Sequence, residues 1–349
     1  MEAMGKALMQ ELDWKMREAK GPVSTVYFGG GTPSLFDLSQ LELLVSRCLA
    51  AGTHPSEITL EANPEDITDE RLKAWLAMGI TRLSIGVQTF DDDRLRWMNR
   101  AHSGQQAIDA ILSAHALGFQ HLSADLIYGL PDRKTPFSED LEKACDLPVD
   151  HLSAYILTVE DQTVLGRNVQ KGLEHVAPES LVEAEYAMLC SSAKEAGFDH
   201  YEVSNFARSG GHAQHNQHYW TGLPFLGIGP GAHGFDGQQR LANVSNNPRY
   251  IAAVQKAQRL DDLPVERDVL SAHDRYNEGL MTGLRTAKGI DVEALENEYG
   301  HNPQTEDPDF WSQCIADRTL EPIGGSRYRI RAERWLVADR IASAFFVVD

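Results

Sequence analysis

The sequence predicts an α/β fold: a partial (β/α) barrel of the TIM type that lacks its first strand, followed by a smaller α/β carboxyl-terminal domain. Three observations carry this expectation. Five short apolar runs alternate strictly with helix-period segments, which implies parallel strands joined by right-handed crossovers. Polar residues gather at or just past the end of each run: Gly29-Gly30-Gly31-Thr32, Glu61 with Asn63, Gln88, Asp125, and Thr158 with Glu160. In a barrel such ends converge on one mouth, whereas an open doubly wound sheet concentrates its site at one switch point. Finally, the chain opens on a helix, so no strand precedes the first run.

Each element follows from local pattern. Met4, Leu8, Leu12 and Met16 recur every fourth position and predict a helix over residues 4–18. Thr25-Val26-Tyr27-Phe28 reads as a strand stopped by glycines, and Leu41, Leu44, Val45 and Leu49 define one face of a helix starting near Ser39. Glu57 to Leu60 is the next strand. Thr68 caps a helix running to Ala77, with Gly79 just past its end. Arg82 to Val87, His121 to Ile127 and Leu152 to Leu157 are strands, separated by helices from Asp91, from Ser103 to Leu117, and from Ser138. A long helix over Ser180 to Ala196 precedes Tyr201-Glu202-Val203-Ser204-Asn205-Phe206. Residues 210–248 differ in character, being rich in Gly, His, Asn and aromatics. Residues 249–258 read as helical, 261–264 as a linker, Ala272 to Leu284 as a helix, and Arg327 to Leu336 as a hairpin arm whose arginines form a solvated face. The expected divisions are 1–208 for the barrel, 209–264 for the Gly/His-rich segment and linker, and 265–349 for the tail domain.

Composition bounds the function. The 349 residues carry 32 basic against 51 acidic side chains, a net charge of −19, which repels phosphate backbones and anionic lipid. No apolar stretch approaches the roughly 20 residues that span a bilayer, and the acidic start is unlike a targeting peptide. The expected protein is soluble and cytoplasmic, with neither nucleic acid nor membrane insertion among its partners; a homodimer is left open. Cys48, Cys145, Cys190 and Cys314 are widely scattered and lack the close spacing of a metal or redox motif, so they read as small apolar residues.

Four features bear on chemistry. The triple glycine lets bare amides approach an anionic ligand, or is simply a tight turn. Glu61, Gln88 and Asp125 leave separate strands toward one mouth, where a ligand with amines or hydroxyls explains them better than three unrelated caps. Gly229-Pro230-Gly231-Ala232-His233-Gly234 matches a dinucleotide pattern formally, but Pro230 and the absence of a following helix point to a compact loop. His212, His215, His218 and His233 lie close in sequence; imidazole ligates haem iron, with Tyr219, Trp220, Phe225 and Leu226 as flat apolar neighbours, while a polar loop with backbone-capping histidines fits equally.

The ordered motifs Gly29-Gly30-Gly31-Thr32-Pro33-Ser34, Glu61-Ala62-Asn63-Pro64, Ser84-Ile85-Gly86-Val87-Gln88-Thr89-Phe90 and Asp125-Leu126-Ile127-Tyr128-Gly129-Leu130-Pro131 resemble the radical S-adenosylmethionine (radical SAM) proteins of the anaerobic coproporphyrinogen III oxidase family. Tyr201 to Phe206 and His215-Asn216-x-x-Tyr219-Trp220 resemble its haem-chaperone branch, and Gly283 to Ile290 its carboxyl-terminal domain. The resemblance implies that Gly30, Gly31, Thr32, Glu61, Gln88, Arg100 and Asp125 contact SAM, and that His215, with Asn216, Tyr219 and Trp220, binds haem through its iron. It implies haem as ligand and acceptor haemoproteins as partners.

The family also carries a Cys-x-x-x-Cys-x-x-Cys loop holding a [4Fe–4S] cluster, a pattern this sequence does not contain. No catalytic residue is therefore assigned, radical chemistry is not expected of the chain as given, and an upstream segment beyond Met1 is the favoured account. The expected function is haem binding and delivery. The rivals are a SAM-dependent coproporphyrinogen III oxidase, against which the His215-to-Trp220 motif counts, and a non-catalytic remnant.

Overall fold

The computed structural model describes residues 2–19, 21–50 and 54–348. In chain order the first part comprises α1 (Glu2–Glu18), β1 (Thr25–Phe28), α2 (Leu38–Ala50), β2 (Glu57–Ala62), α3 (Asp69–Met78), β3 (Arg82–Gln88), α4 (Asp92–Trp97), α5 (Gly104–Leu117), β4 (His121–Tyr128), α6 (Phe137–Asp146), β5 (His151–Ile156), α7 (Val164–Gln170), α8 (Glu179–Glu195), β6 (Asp199–Glu202) and β7 (Asn205–Ala207). The rest comprises α9 (Gln214–Trp220), β8 (His233–Phe235), β9 (Gln239–Ala242), α10 (Asn247–Lys256), β10 (Glu266–Val269), α11 (Ala272–Leu284), β11 (Ile290–Asp291), α12 (Val292–Tyr299), α13 (Pro303–Glu306), α14 (Pro308–Ala316), β12 (Leu320–Gly324), β13 (Arg327–Ile330) and α15 (Ala338–Ala344).

Strands β1 to β5 are parallel and lie side by side in sequence order, so the sheet has no switch point. This is the half-barrel order. The hairpin β6–β7 closes the far end, with β7 antiparallel to β5. Residues 201–206, to which the sequence reading gave no element, span both strands and turn at Val203-Ser204. Two small sheets follow, β10-β9-β8 and β11-β13-β12.

Side-chain alternation gives the large sheet two unlike faces. Ile58, Leu60, Ala62, Leu83, Ile85, Val87, Leu122, Ala124, Leu126, Leu152 and Ala154 join the core with Leu72, Trp75, Ile111 and Leu141 from the covering helices. The intervening residues, from Thr25 and Tyr27 through Glu57, Glu61, Arg82, Ser84, Ser123, Asp125, His151 and Ser153, are polar and line the concave face. The core runs on into the tail through Tyr186 and Phe206 to Tyr276, Leu280 and Trp335.

Capping follows the sequence. Thr68 accepts from Arg71 N–H (3.3 Å) and Gly79 ends α3 at φ 92°; Ser103 and Gln106 form a capping box on α5. Elsewhere the structure corrects the reading. On α2 the buried set is Leu41, Leu44, Val45 and Cys48, and Leu49 stays 38% exposed, because a 3.6-residue period returns to Cys48 first. The hairpin arm read as Arg327 to Leu336 stops at Ile330, and residues 332–337 coil into a 3₁₀ turn that buries Trp335. Arg329 pairs with Glu321 across the hairpin at 2.7 Å and Arg331 with Glu333 at 2.8 Å. Leu263, in the stretch read as a linker, packs with Ala7, Tyr250 and Val254. Strand β10 pairs with β9, so that small sheet draws on both sides of residue 264.

One buried carboxylate ties α1 to the Gly/His-rich region. Glu11 is fully buried and accepts from Asn243 Nδ2 (2.7 Å), Tyr250 OH (2.6 Å) and Gly229 N–H (2.9 Å), with Lys15 Nζ at 2.7 Å. The loop beginning at Gly229 is compact and leads into β8 rather than a helix. Glu11→Ala strands buried donors and the 7%-exposed Lys15, so it is expected to lower the unfolding free energy by about 3 kcal/mol, read as a reduced urea midpoint with unchanged slope.

Candidate functional site

The carboxyl ends of the parallel strands build one polar mouth. At β1 the chain enters Gly29-Gly30-Gly31, where Gly30 and Gly31 take φ of 76° and 65°, a region open to glycine at little cost. A Cβ on Gly29 would lie 2.8 Å from Glu61 Oε1, whereas nothing stands within 4 Å of that position on Gly30 or Gly31. The loop is pressed against Glu61 on one side and open on the other. Glu61 accepts from Gly30 N–H (3.0 Å) and from Tyr27 OH (2.7 Å). Thr32 precedes the 3₁₀ turn Pro33–Leu35.

At β3 a register shift between Ile85 and Gln88 bends the strand end, and Gln88 takes φ 67°. A Cβ on Gly86 would lie 2.9 Å from Gln88 Nε2, 3.5 Å from Asn63 Oδ1 and 3.7 Å from Arg100 Nη2. The glycine therefore leaves room for three converging polar side chains, and Arg100 joins the mouth.

Asp125 on β4 accepts from Ser84 Oγ (2.8 and 3.0 Å) and Ser123 Oγ (3.1 Å). Burial pushes its carboxyl up to about 6, against the lowering effect of these hydroxyls and that of Ser153. Tyr155 on β5 is held well above its usual range by burial and by the charges of Asp125, Glu202 and Glu61, and Tyr27 likewise by burial, Glu61 and Asp125. Glu61 and Asp125 thus share one electrostatic environment. Glu202, 1% exposed, is raised to about 7 by burial.

Helix α9 lies against β1, at the amino-terminal side of the same concave face. His215 stacks on Tyr27 (centroids 5.1 Å, 23° between planes), with Nδ1 2.8 Å from Thr25 Oγ1 and Nε2 3.0 Å from Tyr219 OH. His218 Nδ1 reaches the same threonine at 3.3 Å. Burial lowers the His215 ring to about 4, so it is a neutral imidazole at neutral pH. Tyr219, which touches it, is 43% exposed, and Leu223 and Leu226 in the loop after α9 are 47% and 45% exposed. Trp220, at the other end of α9, lies under the Arg285 guanidinium (5.9 Å), which pairs with Asp339; Asn216 is half-buried on the same helix.

The structure thus brings Gly30, Gly31, Glu61, Gln88, Arg100 and Asp125 to one mouth, with His215 touching it through Tyr27 and Tyr219 packed on His215. The four-histidine grouping separates: His212 lies 4.8 Å from the Tyr201 ring and His233 is exposed on β8. The cysteines lie apart on α2, α6, α8 and α14, and among the described residues no three His, Cys, Asp or Glu side chains come together as a metal site. Sequence reasoning missed Thr25, Tyr27, Ser84, Ser123 and Ser153, all signalled by period-2 spacing within their strands.

Residues 7–161 match the Radical SAM superfamily, and residues 270–320 the HemN C-terminal domain. The chain is 33% identical over 303 residues to Heme chaperone HemW of Bacillus subtilis, covering 85% of this chain and 79% of that one. The chain belongs to the HemW branch of the radical SAM family. A second HemW, from Mycobacterium tuberculosis, is 37% identical over 298 residues, covering 83% of this chain and 74% of that one. The fold of this HemW-family chain is also that of coproporphyrinogen III oxidase (HemN) from Escherichia coli, with TM-score 0.81 at 21% identity over 99% of this chain and 83% of that one. No helix among the described residues is long and apolar enough to cross a membrane.

Burial that raises the Asp125 carboxyl has a signed consequence. The folded chain holds this proton up to about pH 6 and the unfolded chain only to about pH 4. Its contribution to stability is therefore greatest below pH 4 and falls as pH rises through 6. Asp125→Asn is expected to stabilise the chain at pH 7.5, on the order of 1–3 kcal/mol, with the gain shrinking toward pH 4.5 in urea titrations at the two pH values.

Proposed function

We propose that this chain binds haem through His215 and passes it to acceptor haemoproteins, on a scaffold whose glycine-lined mouth takes SAM. One observation carries the haem assignment: a neutral, partly accessible imidazole fixed through one nitrogen to Thr25 Oγ1, with the other facing only the hydroxyl of an exposed tyrosine. When Nδ1–H is donated to the threonine, Nε2 holds the lone pair that iron requires. Tyr219 needs only to swing its hydroxyl away, and the exposed Leu223 and Leu226 offer apolar surface to a porphyrin face. A neutral ligand whose only displaced partner is a tyrosine hydroxyl suits a carrier, which must release its cargo as well as hold it.

The mouth fits SAM by donor set. Glu61 and Asp125 suit ammonium, sulfonium and ribose hydroxyl groups, Gly30 and Gly31 leave space beside their amides, and Gln88 and Arg100 supply amide and guanidinium contacts. Paired with a [4Fe–4S] cluster, SAM would supply one-electron chemistry; the four cysteines of this chain sit on separate helices, and the residues of the mouth bind and orient SAM alone.

Haem titration tests the reading. The native chain is expected to give a saturable Soret shift, and His215→Ala to weaken binding at least tenfold. Equal Soret changes and equal affinity in both proteins contradict the assignment. Thr25→Val, which removes the Nδ1 anchor, is expected to fall between them.

A further inference from the structure

The polar concave face does more than form the mouth, because two of its residues grip the backbone that carries His215. Glu57 opens β2 and Arg82 opens β3; they are 3% and 2% exposed, and Arg82 Nε donates to Glu57 Oε2 at 3.0 Å. Neither spends its remaining capacity on the sheet. Glu57 accepts the backbone N–H of His215 on Oε1 (2.9 Å) and that of Gln214 on Oε2 (3.0 Å). Arg82 Nη2 donates to the carbonyls of Gly211 (2.9 Å) and His212 (3.3 Å). One buried ion pair therefore holds the amides at 214–215 and the carbonyls at 211–212. The segment is also seated from below: a Cβ on Gly211 would come within 2.3 Å of the Asp150 carbonyl oxygen, so the backbone there lies directly on the loop before β5.

We propose that Glu57 and Arg82 are positioning residues for His215, setting the imidazole against Thr25 and Tyr27 in the orientation that presents Nε2 to haem iron. This rests on the haem reading above and adds the groups that make the ligand rigid. A buried Arg–Glu pair is weak as a source of stability, since desolvation offsets most of the attraction. Here it engages four backbone groups of a segment more than 120 residues away in sequence, with Arg82 Nη1 turned toward Asp150 at 3.8 Å, which is what a fixed ligand needs. Arginine suits the task because its planar fork meets a carboxylate and two carbonyls at once, and a lysine does not.

The test uses the full chain with ferric haem in three variants: Glu57→Gln, Arg82→Lys and His215→Ala. Readouts are affinity, the position of the Soret band, and the circular dichroism melt. Both positioning variants are expected to lose about tenfold or more in affinity, the cost typical of displaced ligand-orienting groups. Their Soret bands are expected to move toward that of His215→Ala while a cooperative melt persists. Arg82→Lys keeps the charge and serves if Glu57→Gln folds poorly. A lowered melting temperature with wild-type Soret position and affinity in the folded protein overturns the positioning role, leaving haem ligation intact. If His215→Ala matches the native chain in affinity and Soret position, the haem reading itself fails.

Discussion

The structure depends on a sheet whose two faces obey opposite rules. Parallel strands buried on both sides ordinarily read as continuous apolar runs, yet here most residues facing the concavity are polar. Such groups are costly inside a protein unless paired, and the remedy is mutual: serines on β3, β4 and β5 turn to Asp125, Tyr27 turns to Glu61, Arg82 to Glu57, and His151 to Ser123 and Tyr201 at 2.7 Å each. The apolar set on the other face fixes the register, so the polar set is placed with no freedom of its own. The candidate site lies on the face turned away from the apolar core.

This arrangement ties the glycine loop and the His215 helix into one network. Tyr27 gives its hydroxyl to Glu61, which holds the glycine loop, and its ring to His215. The mouth and the imidazole helix thus share a residue. Segment 211–215 fills the amino-terminal end of the concavity, while the glycine loop, Gln88 and Arg100 stand at the carboxyl end. Arg285 then joins the other end of α9 to the tail domain through Trp220 and Asp339. The helix bearing His215 is held between the half-barrel and the tail, and neither alone supplies all its contacts.

Much of this was legible in the sequence, for physical reasons. Strand ends could be placed because glycine, proline and polar residues interrupt short apolar runs, and Thr68, Gly79 and Ser103 act through local capping alone. The convergence of Glu61, Gln88 and Asp125 followed from the parallel order. What was not legible depends on tertiary contact. Tyr27 looks like an apolar strand residue until Glu61 is seen across from it. Glu57 and Arg82 resemble strand-edge charges until segment 211–215 folds back over them. Arg100 lies in a loop that no periodicity locates, and only the family resemblance pointed to it. The turn at Val203-Ser204 was hidden because it carries no glycine or proline, and the four histidines looked like one group because sequence proximity says little inside a loop-rich segment.

His215 is seated on the concave face, stacked on Tyr27 and held at both ring nitrogens. Ring-nitrogen NMR of the histidines across a pH titration checks that seat. In it, His215 is expected to stay neutral from pH 8 down to 5 and to protonate only near pH 4. A ring that titrates near the ordinary 6.5 would be an imidazole free in solvent and would rule that seat out.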